Sequence, residues 1–263
     1  MSERLRERFR LGKAEGRPLF VGYVTAGYPT PGDTPDILLA MEAGGADILE
    51  LGVPFSDPLA DGATIQEANE VAIAQGVSFA DCLGFVRSAR EKGLTAPVLL
   101  MGYENPVLSY GETRAARDAA AAGADGFIMV DLPPEEAGPF IADCRANDLS
   151  FVPLVAPTTE EPRIALLAAA ADSFLYCVSV TGTTGKTAVN ADDLPEFLAR
   201  VRRHTALPLA VGFGVSTRQH VIDVGALAEA AVVGTAIIRS IDATTEGTPA
   251  ERVGAFVASL ARG

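Results

Sequence analysis

Cysteine and histidine are scarce in this chain of 263 residues, which holds three of the first and two of the second. Cys82, Cys144 and Cys177 form no CxxC or other metal-ligand spacing, and their odd number argues against a disulfide framework, so a reducing, cytoplasmic setting is expected. His204 and His220 fall in helical stretches away from strand ends, which argues against a histidine triad or a metal centre. Long hydrophobic runs are also missing. The apolar stretches are strand-length and are cut by Gly, Pro or Asp, far short of the roughly 20 residues that span a bilayer, so no transmembrane helix and no membrane association is expected. Positive charge is in deficit, with 21 Lys and Arg against 34 Asp and Glu. The net charge of −13 would repel a phosphate backbone and excludes nucleic acid as a partner of the chain as a whole, while leaving room for a local phosphate pocket. The amino terminus, residues 1–10, is basic but interleaved with Glu3 and Glu7, and it lacks the apolar core of a secretion signal. It reads as a short helix whose Leu5 and Phe9, four apart on one face, would plug against the main body.

What is present is enough for one large core: 48% of the residues are hydrophobic and 21% charged, and a single domain over residues 1–263 is the default. Similar words recur ahead of apolar segments: Glu42-Ala-Gly-Gly-Ala-Asp47, Ala121-Ala-Gly-Ala-Asp125 and Ala169-Ala-Ala-Asp172. Each reads as helix end, breaker, strand start, with Gly closing the first two helices in a left-handed cap. Strand-length apolar runs fall at Leu19–Thr25, Asp47–Leu51, Pro97–Met101, Gly126–Val130, Ser150–Val155, Ser173–Val178, Leu209–Gly212 and Ala231–Val233. Helical stretches lie between them, among them 35–43, 113–122, 134–147, 160–170, 192–204 and 217–225. A last helix opens with a capping box, Thr248 as N-cap, Pro249 first and Glu251 as the reciprocal acid, and buries Val253, Phe256, Val257 and Leu260. Strands apolar nearly throughout and alternating with helices predict a parallel sheet covered by helices, and eight such units match a closed (β/α)8 TIM barrel. A doubly wound open sheet is the competing fold. About 45 residues separate the second strand from the third, so an extra helix is expected after the 54–61 loop, with Asp61 near its start.

The most informative segment is Ile48-Leu49-Glu50-Leu51-Gly52-Val53-Pro54-Phe55-Ser56-Asp57-Pro58-Leu59-Ala60-Asp61-Gly62. Side chains alternate along a strand, so Glu50 points where Ile48 points, and an inward carboxyl among aliphatic groups holds its proton to higher pH, as a general acid must. Barrel enzymes gather their functional groups where strands end. Glu50, Asp61, Asn105, Asp131 and Tyr176 occupy that register, and glycine elbows follow the seventh strand, Gly212-Phe213-Gly214, and the eighth, Gly234-Thr235. Backbone N–H groups at such elbows can approach an anion closely, which makes them a candidate phosphate site; tight turns without a ligand are the alternative. Gly185-Lys186-Thr187 mimics the end of a P-loop, but the motif's first glycine would fall on Val180, and a lid over the site is the better reading. An inward Glu is also what a paired structural acid looks like, Asp57 and Asp61 could be turn formers, more readily Asp57, and Cys177 reads as a packed thiol.

Taken together, these residues resemble the α-subunit family of tryptophan synthase over nearly the full chain. The resemblance rests on Leu49-Glu50-Leu51-Gly52 through Asp61-Gly62 with Ile65-Gln66. Val24-Thr25-Ala26-Gly27-Tyr28-Pro29, Asn105-Pro106, Asp131-Leu132-Pro133, Thr184-Gly185 and Gly212-Phe213-Gly214 support it. It implies retro-aldol cleavage of indole-3-glycerol phosphate to indole and D-glyceraldehyde 3-phosphate, late in tryptophan biosynthesis, with no metal and no cofactor in this subunit. By position, Glu50 would protonate indole C3 and then help deprotonate the side-chain hydroxyl, and Asp61 would accept the indole N–H. Tyr176 would stand near the reacting carbons. Thr184, Gly185, Gly212, Phe213, Gly214, Gly234 and Thr235 would line the phosphate, and Tyr23, Ile65 and Met101 the indole. Thr235 stands for a commoner serine, and Tyr23 and Met101 for Phe and Leu; Glu104 and Lys186-Thr187 are less typical, which touches lid and partner coupling. The resemblance further implies an α2β2 tetramer with a β subunit carrying pyridoxal phosphate, and closure of loops 54–61 and 179–189. A stand-alone indole-releasing lyase and a non-catalytic activator of the β subunit are the competing readings; the second is opposed by the presence of both Glu50 and Asp61.

Overall fold

The computed structural model describes residues 2–178, 193–212, 214–243 and 246–262. The order is α1 (Glu3–Glu15), β1 (Leu19–Thr25), α2 (Thr34–Gly44), β2 (Ile48–Gly52), α3 (Ala63–Ala74), α4 (Phe79–Glu91), β3 (Val98–Gly102), α5 (Glu104–Tyr110), α6 (Glu112–Ala122) and β4 (Gly126–Met129). There follow α7 (Gly138–Ala146), β5 (Ser150–Val152), β6 (Leu154–Val155), α8 (Glu161–Ala170), β7 (Leu175–Val178), α9 (Leu194–Arg202), β8 (Leu209–Gly212), α10 (Arg218–Gly225), β9 (Ala230–Val233), α11 (Thr235–Ile241) and α12 (Pro249–Ala261).

All strand pairs are parallel, in the order β5-β4-β3-β2-β1-β9-β8-β7-β6. The two ends of that order, β5 and β6, are one stretch of chain interrupted at Pro153, so the sheet closes on itself. The eight units read from the sequence are therefore present, and the fifth strand is split because proline carries no N–H for the ladder; its carbonyl still accepts the Tyr176 N–H at 3.1 Å. Thr248 and Glu251 form the expected capping box of α12.

Alternation sorts the strand residues into two layers. Leu19, Val21, Ile48, Leu99, Ile128, Val152, Tyr176, Ala210 and Val232 fill the barrel interior, while Phe20, Val24, Leu49, Leu51, Leu100 and Val211 face the helices. The expected plug is there: Leu5 of α1 is fully buried in the inner cluster, and Phe9 meets Phe174 with ring centroids 5.4 Å apart.

One helix expectation is corrected, and two further helices are added. The helix read over 134–147 starts only at Gly138, because Glu136 and Ala137 fold back onto the Pro133 carbonyl and Pro139, which has no N–H to donate, is accommodated in a first turn. Two short helices, α5 and α11, lie outside the helical stretches named from the sequence.

The recurrent Asp before a strand gains a physical explanation at the base of the barrel. Asp47, just ahead of β2, accepts the Phe20 N–H of β1 at 2.9 Å and a two-pronged bond from Arg17. Asp125, ahead of β4, accepts the Val98 N–H of β3 at 2.9 Å together with Arg90 at 2.8 Å. Glu229, ahead of β9, accepts the Leu209 N–H of β8 at 2.8 Å and pairs with Arg202. Each acid thus ties the start of its own strand to the start of the strand before it and pairs with an arginine, which balances a buried charge at Asp47 and Asp125 and a half-exposed one at Glu229. Asp172 stands in the corresponding place ahead of β7, with Arg145 3.8 Å away.

Candidate functional site

At the opposite rim the carboxylates are treated differently. β2 is buried along its whole length, and its register sets Glu50 between Tyr23 of β1 and Leu99 of β3. Because Ile48 belongs to the inner layer and Leu49 and Leu51 to the outer, Glu50 projects into the barrel. It is 0% exposed, and neither carboxyl oxygen has a hydrogen-bond partner among the described residues. Burial alone pushes its pKa up to about 8. A carboxyl in that setting keeps its proton at neutrality and can deliver it to a substrate.

After β2 the chain turns through 53–62. The Val53 N–H donates to Met101, a turn joins the Asp61 N–H to the Pro58 carbonyl at 3.0 Å, and Gln66 Nε2 donates to the Asp61 carbonyl at 2.9 Å. Gly62 then caps α3, so Asp61 stands just before a helix start. Asp61 is partly buried, which raises its carboxyl to about 6, while hydrogen bonds from Tyr103 and Asn69 oppose the rise. Asp57, by contrast, is exposed and shapes the loop, its carbonyl accepting the Leu59 N–H and its carboxylate the Ser56 hydroxyl.

The two acids share one mouth. Tyr23 and Tyr176 are both buried, and the phenol of each has its ionisation suppressed chiefly by burial and further by both Glu50 and Asp61. Their rings fit because two glycines leave space: a Cβ on Gly52 would overlap the Tyr23 hydroxyl, and one on Gly212 would overlap that of Tyr176. The Tyr23 hydroxyl also bonds Thr25 Oγ1 at 3.2 Å. Ile65, in the first turn of α3, and Met101, at the end of β3, belong to the same cluster as Tyr23.

On the neighbouring strands β8 and β9, Gly212 closes the first, Gly214 has φ +77°, and Gly234 caps α11, which opens at Thr235. The two elbows are therefore adjacent. Thr184, Gly185, Phe213 and the 179–189 loop lie outside the described residues.

Other residues of the strand-end register have structural duties. Asp131 accepts the Glu104 N–H at 2.8 Å and so caps α5, and Asn105 lies within α5, bonded to Ser109. Cys177 is fully buried on the helix-facing layer, with burial pushing its thiol up to about 12, which makes it inert packing. His204 bonds Glu161 and His220 accepts the Ser216 N–H. Among the described residues no three His, Cys, Asp or Glu side chains converge as a metal site, and no helix is long and apolar enough to cross a membrane.

Sequence reasoning passed over Tyr103 and Asn69, which act to lower the Asp61 carboxyl. Tyr103 sits directly after β3, a strand end like the others. Asn69 shares the buried stripe of α3 with Ile65, Ala68 and Ala72, and an amide on an apolar helix face is a signal that could have been read.

Comparison with known proteins agrees with this geometry. Residues 9–261 match the family model described as tryptophan synthase alpha chain. The tryptophan synthase alpha chain of Roseiflexus castenholzii is 49% identical over 257 residues, covering 98% of each chain. The tryptophan synthase of Saccharomyces cerevisiae is 52% identical over 248 residues; the match covers 94% of this chain and 35% of the yeast protein's length. Among solved structures, the Legionella pneumophila tryptophan synthase subunit alpha superposes with a TM-score of 0.90 at 34% identity, covering 100% of this chain and 98% of that one. A Mycobacterium tuberculosis tryptophan synthase structure gives 0.88 at 35%, covering both chains fully. The chain belongs to the tryptophan synthase alpha chain family.

Proposed function

We propose that this chain is a carbon–carbon lyase that cleaves indole-3-glycerol phosphate to indole and D-glyceraldehyde 3-phosphate by a retro-aldol step, without a cofactor of its own. The observation that carries the reading is the Glu50 carboxyl, buried, without a hydrogen-bond partner among the described residues and aimed into the same mouth as Asp61. Glu50 delivers its proton to indole C3, which places positive charge on the ring nitrogen and creates the electron sink that carbon–carbon cleavage requires. Asp61, largely ionised at neutral pH, accepts the indole N–H and stabilises that charge. The Glu50 carboxylate left behind takes the proton of the side-chain hydroxyl as the carbonyl of the aldehyde forms, and the bond electrons return to the ring. Glu50 thus ends the cycle protonated. Tyr176 borders the reacting carbons, Tyr23, Ile65 and Met101 the indole, and Gly212, Gly214, Gly234 and Thr235 the phosphate, with Thr184, Gly185 and Phe213 assigned there on sequence alone.

Family membership supports a β-chain partner, and the finer reading is an α2β2 assembly in the cytoplasm whose β subunit holds pyridoxal phosphate. The test is an indole-release assay on the purified chain with and without a β subunit. Slow release that accelerates on adding the partner is expected; no release under either condition rejects the reaction, and fast release that ignores the partner favours a stand-alone lyase. Inorganic phosphate should compete with substrate, and its failure to do so would remove the glycine elbows from the site.

A further inference from the structure

We propose that Arg239 guides the phosphate end of the substrate into the mouth, as a fixed positive charge held between the glycine elbows and the Asp61 loop. The inference deepens the phosphate assignment of Gly212, Gly214, Gly234 and Thr235 made above and rests on it.

Arg239 lies on α11, four residues beyond Thr235, so the two share one side of that helix. Helical side chains lean toward the N-terminus of their helix, which turns Arg239 back toward the elbow at Gly234. Its guanidinium crosses to α3 and stands 3.5 Å from the Thr64 hydroxyl, in the first turn after Gly62. The charge is therefore bracketed by the two segments assigned to opposite ends of the substrate, the elbow to the phosphate and the Asp61 loop to the indole N–H. One bond from an exposed arginine to a neutral hydroxyl contributes little to folding, so stability does not account for a cation there.

Electrostatics gives the position a use. The chain carries 34 Asp and Glu against 21 Lys and Arg, and Asp57 and Asp131 are exposed in the loops that follow β2 and β4. A phosphate monoester with nearly two negative charges approaches against that field. Arginines at the base are neutralised by carboxylates, as Arg17 is by Asp47 and Arg90 by Asp125. Arg239 is not. Thr64 is its one partner among the described residues, and Asp242, three positions on and well placed for an ion pair along the helix, accepts the Tyr28 hydroxyl instead. A cation left unneutralised acts at full charge on an incoming anion, over a range that salt sets at about 30 Å in 0.01 M and about 3 Å in 1 M.

The test measures glycerol 3-phosphate binding to the full chain by calorimetry across ionic strength, beside kcat/KM for indole release. At about 0.01 M salt, Arg239→Gln should weaken binding and lower kcat/KM by about threefold, the Coulomb scale of one charge roughly 10 Å from a dianion. Arg239→Glu changes the charge by two and should lower both by about tenfold, close to the square of the first effect. At about 0.5 M salt both variants should approach wild type, because screening removes what the charge supplied. Arg239→Lys should follow wild type at every salt concentration, and the losses should fall on KM rather than kcat. Losses that persist undiminished in high salt, losses that Arg239→Lys shares, or variants equal to wild type in low salt would each overturn the proposal. Binding needs no turnover, so a wild type that binds glycerol 3-phosphate without releasing indole rejects the reaction while the role of Arg239 is still read out. A wild type that does not bind it removes the phosphate assignment and this role together.

Discussion

Asp47 and Asp125 at the base of the barrel and Glu50 at its mouth are buried carboxylates handled in opposite ways. At the base, Asp47 and Asp125 are both buried, yet each accepts a strand N–H and an arginine. At the mouth, Glu50 is buried too and has neither among the described residues. A carboxylate among donors is a structural tie; a carboxyl deprived of them is a proton held in reserve, at the expense of stability. The first two close the ring, and Glu50 is left unsatisfied among the described residues where a substrate would complete it.

The sharpest way to break the contrast is to remove the unsatisfied acid. Glu50→Gln should lower indole release at least about 10²-fold, the scale of a positioned proton-transfer group. It should also stabilise the fold at alkaline pH. The Glu50 pKa is raised in the folded chain from 4.5 to about 8, so between those values unfolding releases a proton that the native state keeps, and stability declines as pH rises through that window. By pH 9 the wild type should lag the variant by on the order of 4 kcal/mol, and thermal unfolding across pH will show whether the gap opens above pH 4.5. A gap independent of pH would mean that Glu50 is not the protonated group.

At the base the same logic predicts the reverse. Arg90→Ala leaves Asp125 with Arg4, Ser2 and the Val98 N–H, and should reduce stability by about 3 kcal/mol in denaturant titration, while kcat per folded molecule is unchanged. A loss of activity without a loss of stability would dissolve the division between rims. Gly212→Ala, at the mouth, drives a methyl into the Tyr176 hydroxyl and should both slow indole release and destabilise by about 2 kcal/mol. Unaltered kinetics would show that Tyr176 is free to move away. Smallest of all, Asp57→Asn in the exposed turn should stay within about 0.5 kcal/mol of wild type and leave indole release by the chain alone unaltered.

Much of this was legible in the chain itself. The eight strands could be read because both faces of a barrel strand are buried, which makes each a continuous apolar run, and Glu50 could be read because one charged residue inside such a run is a local contradiction. What escaped was short or remote. Helices α5 and α11 span seven residues each, too few to show a periodic face. The break at Pro153 follows from a missing N–H, yet only the closed ring shows that the two halves are one strand. The three repeated Asp-ending words were visible, but the arginines that balance Asp47 and Asp125 come from 30 and 35 residues away. Asp131 looked like a site residue because it follows a strand, and its actual partner is the first N–H of α5, 27 residues upstream. Tyr103 and Asn69 were hidden for the same reason, since their meaning depends on a carboxylate that only the folded loop brings to them.

The central claim is tested most directly by titrating the Glu50 carboxyl itself, through its protonated C=O stretch in infrared difference spectra of wild type against Glu50→Gln. A carboxyl still protonated at pH 7, losing its proton near pH 8, is the predicted result. An ionised group at pH 7, with a midpoint near the ordinary 4.5, would contradict the account.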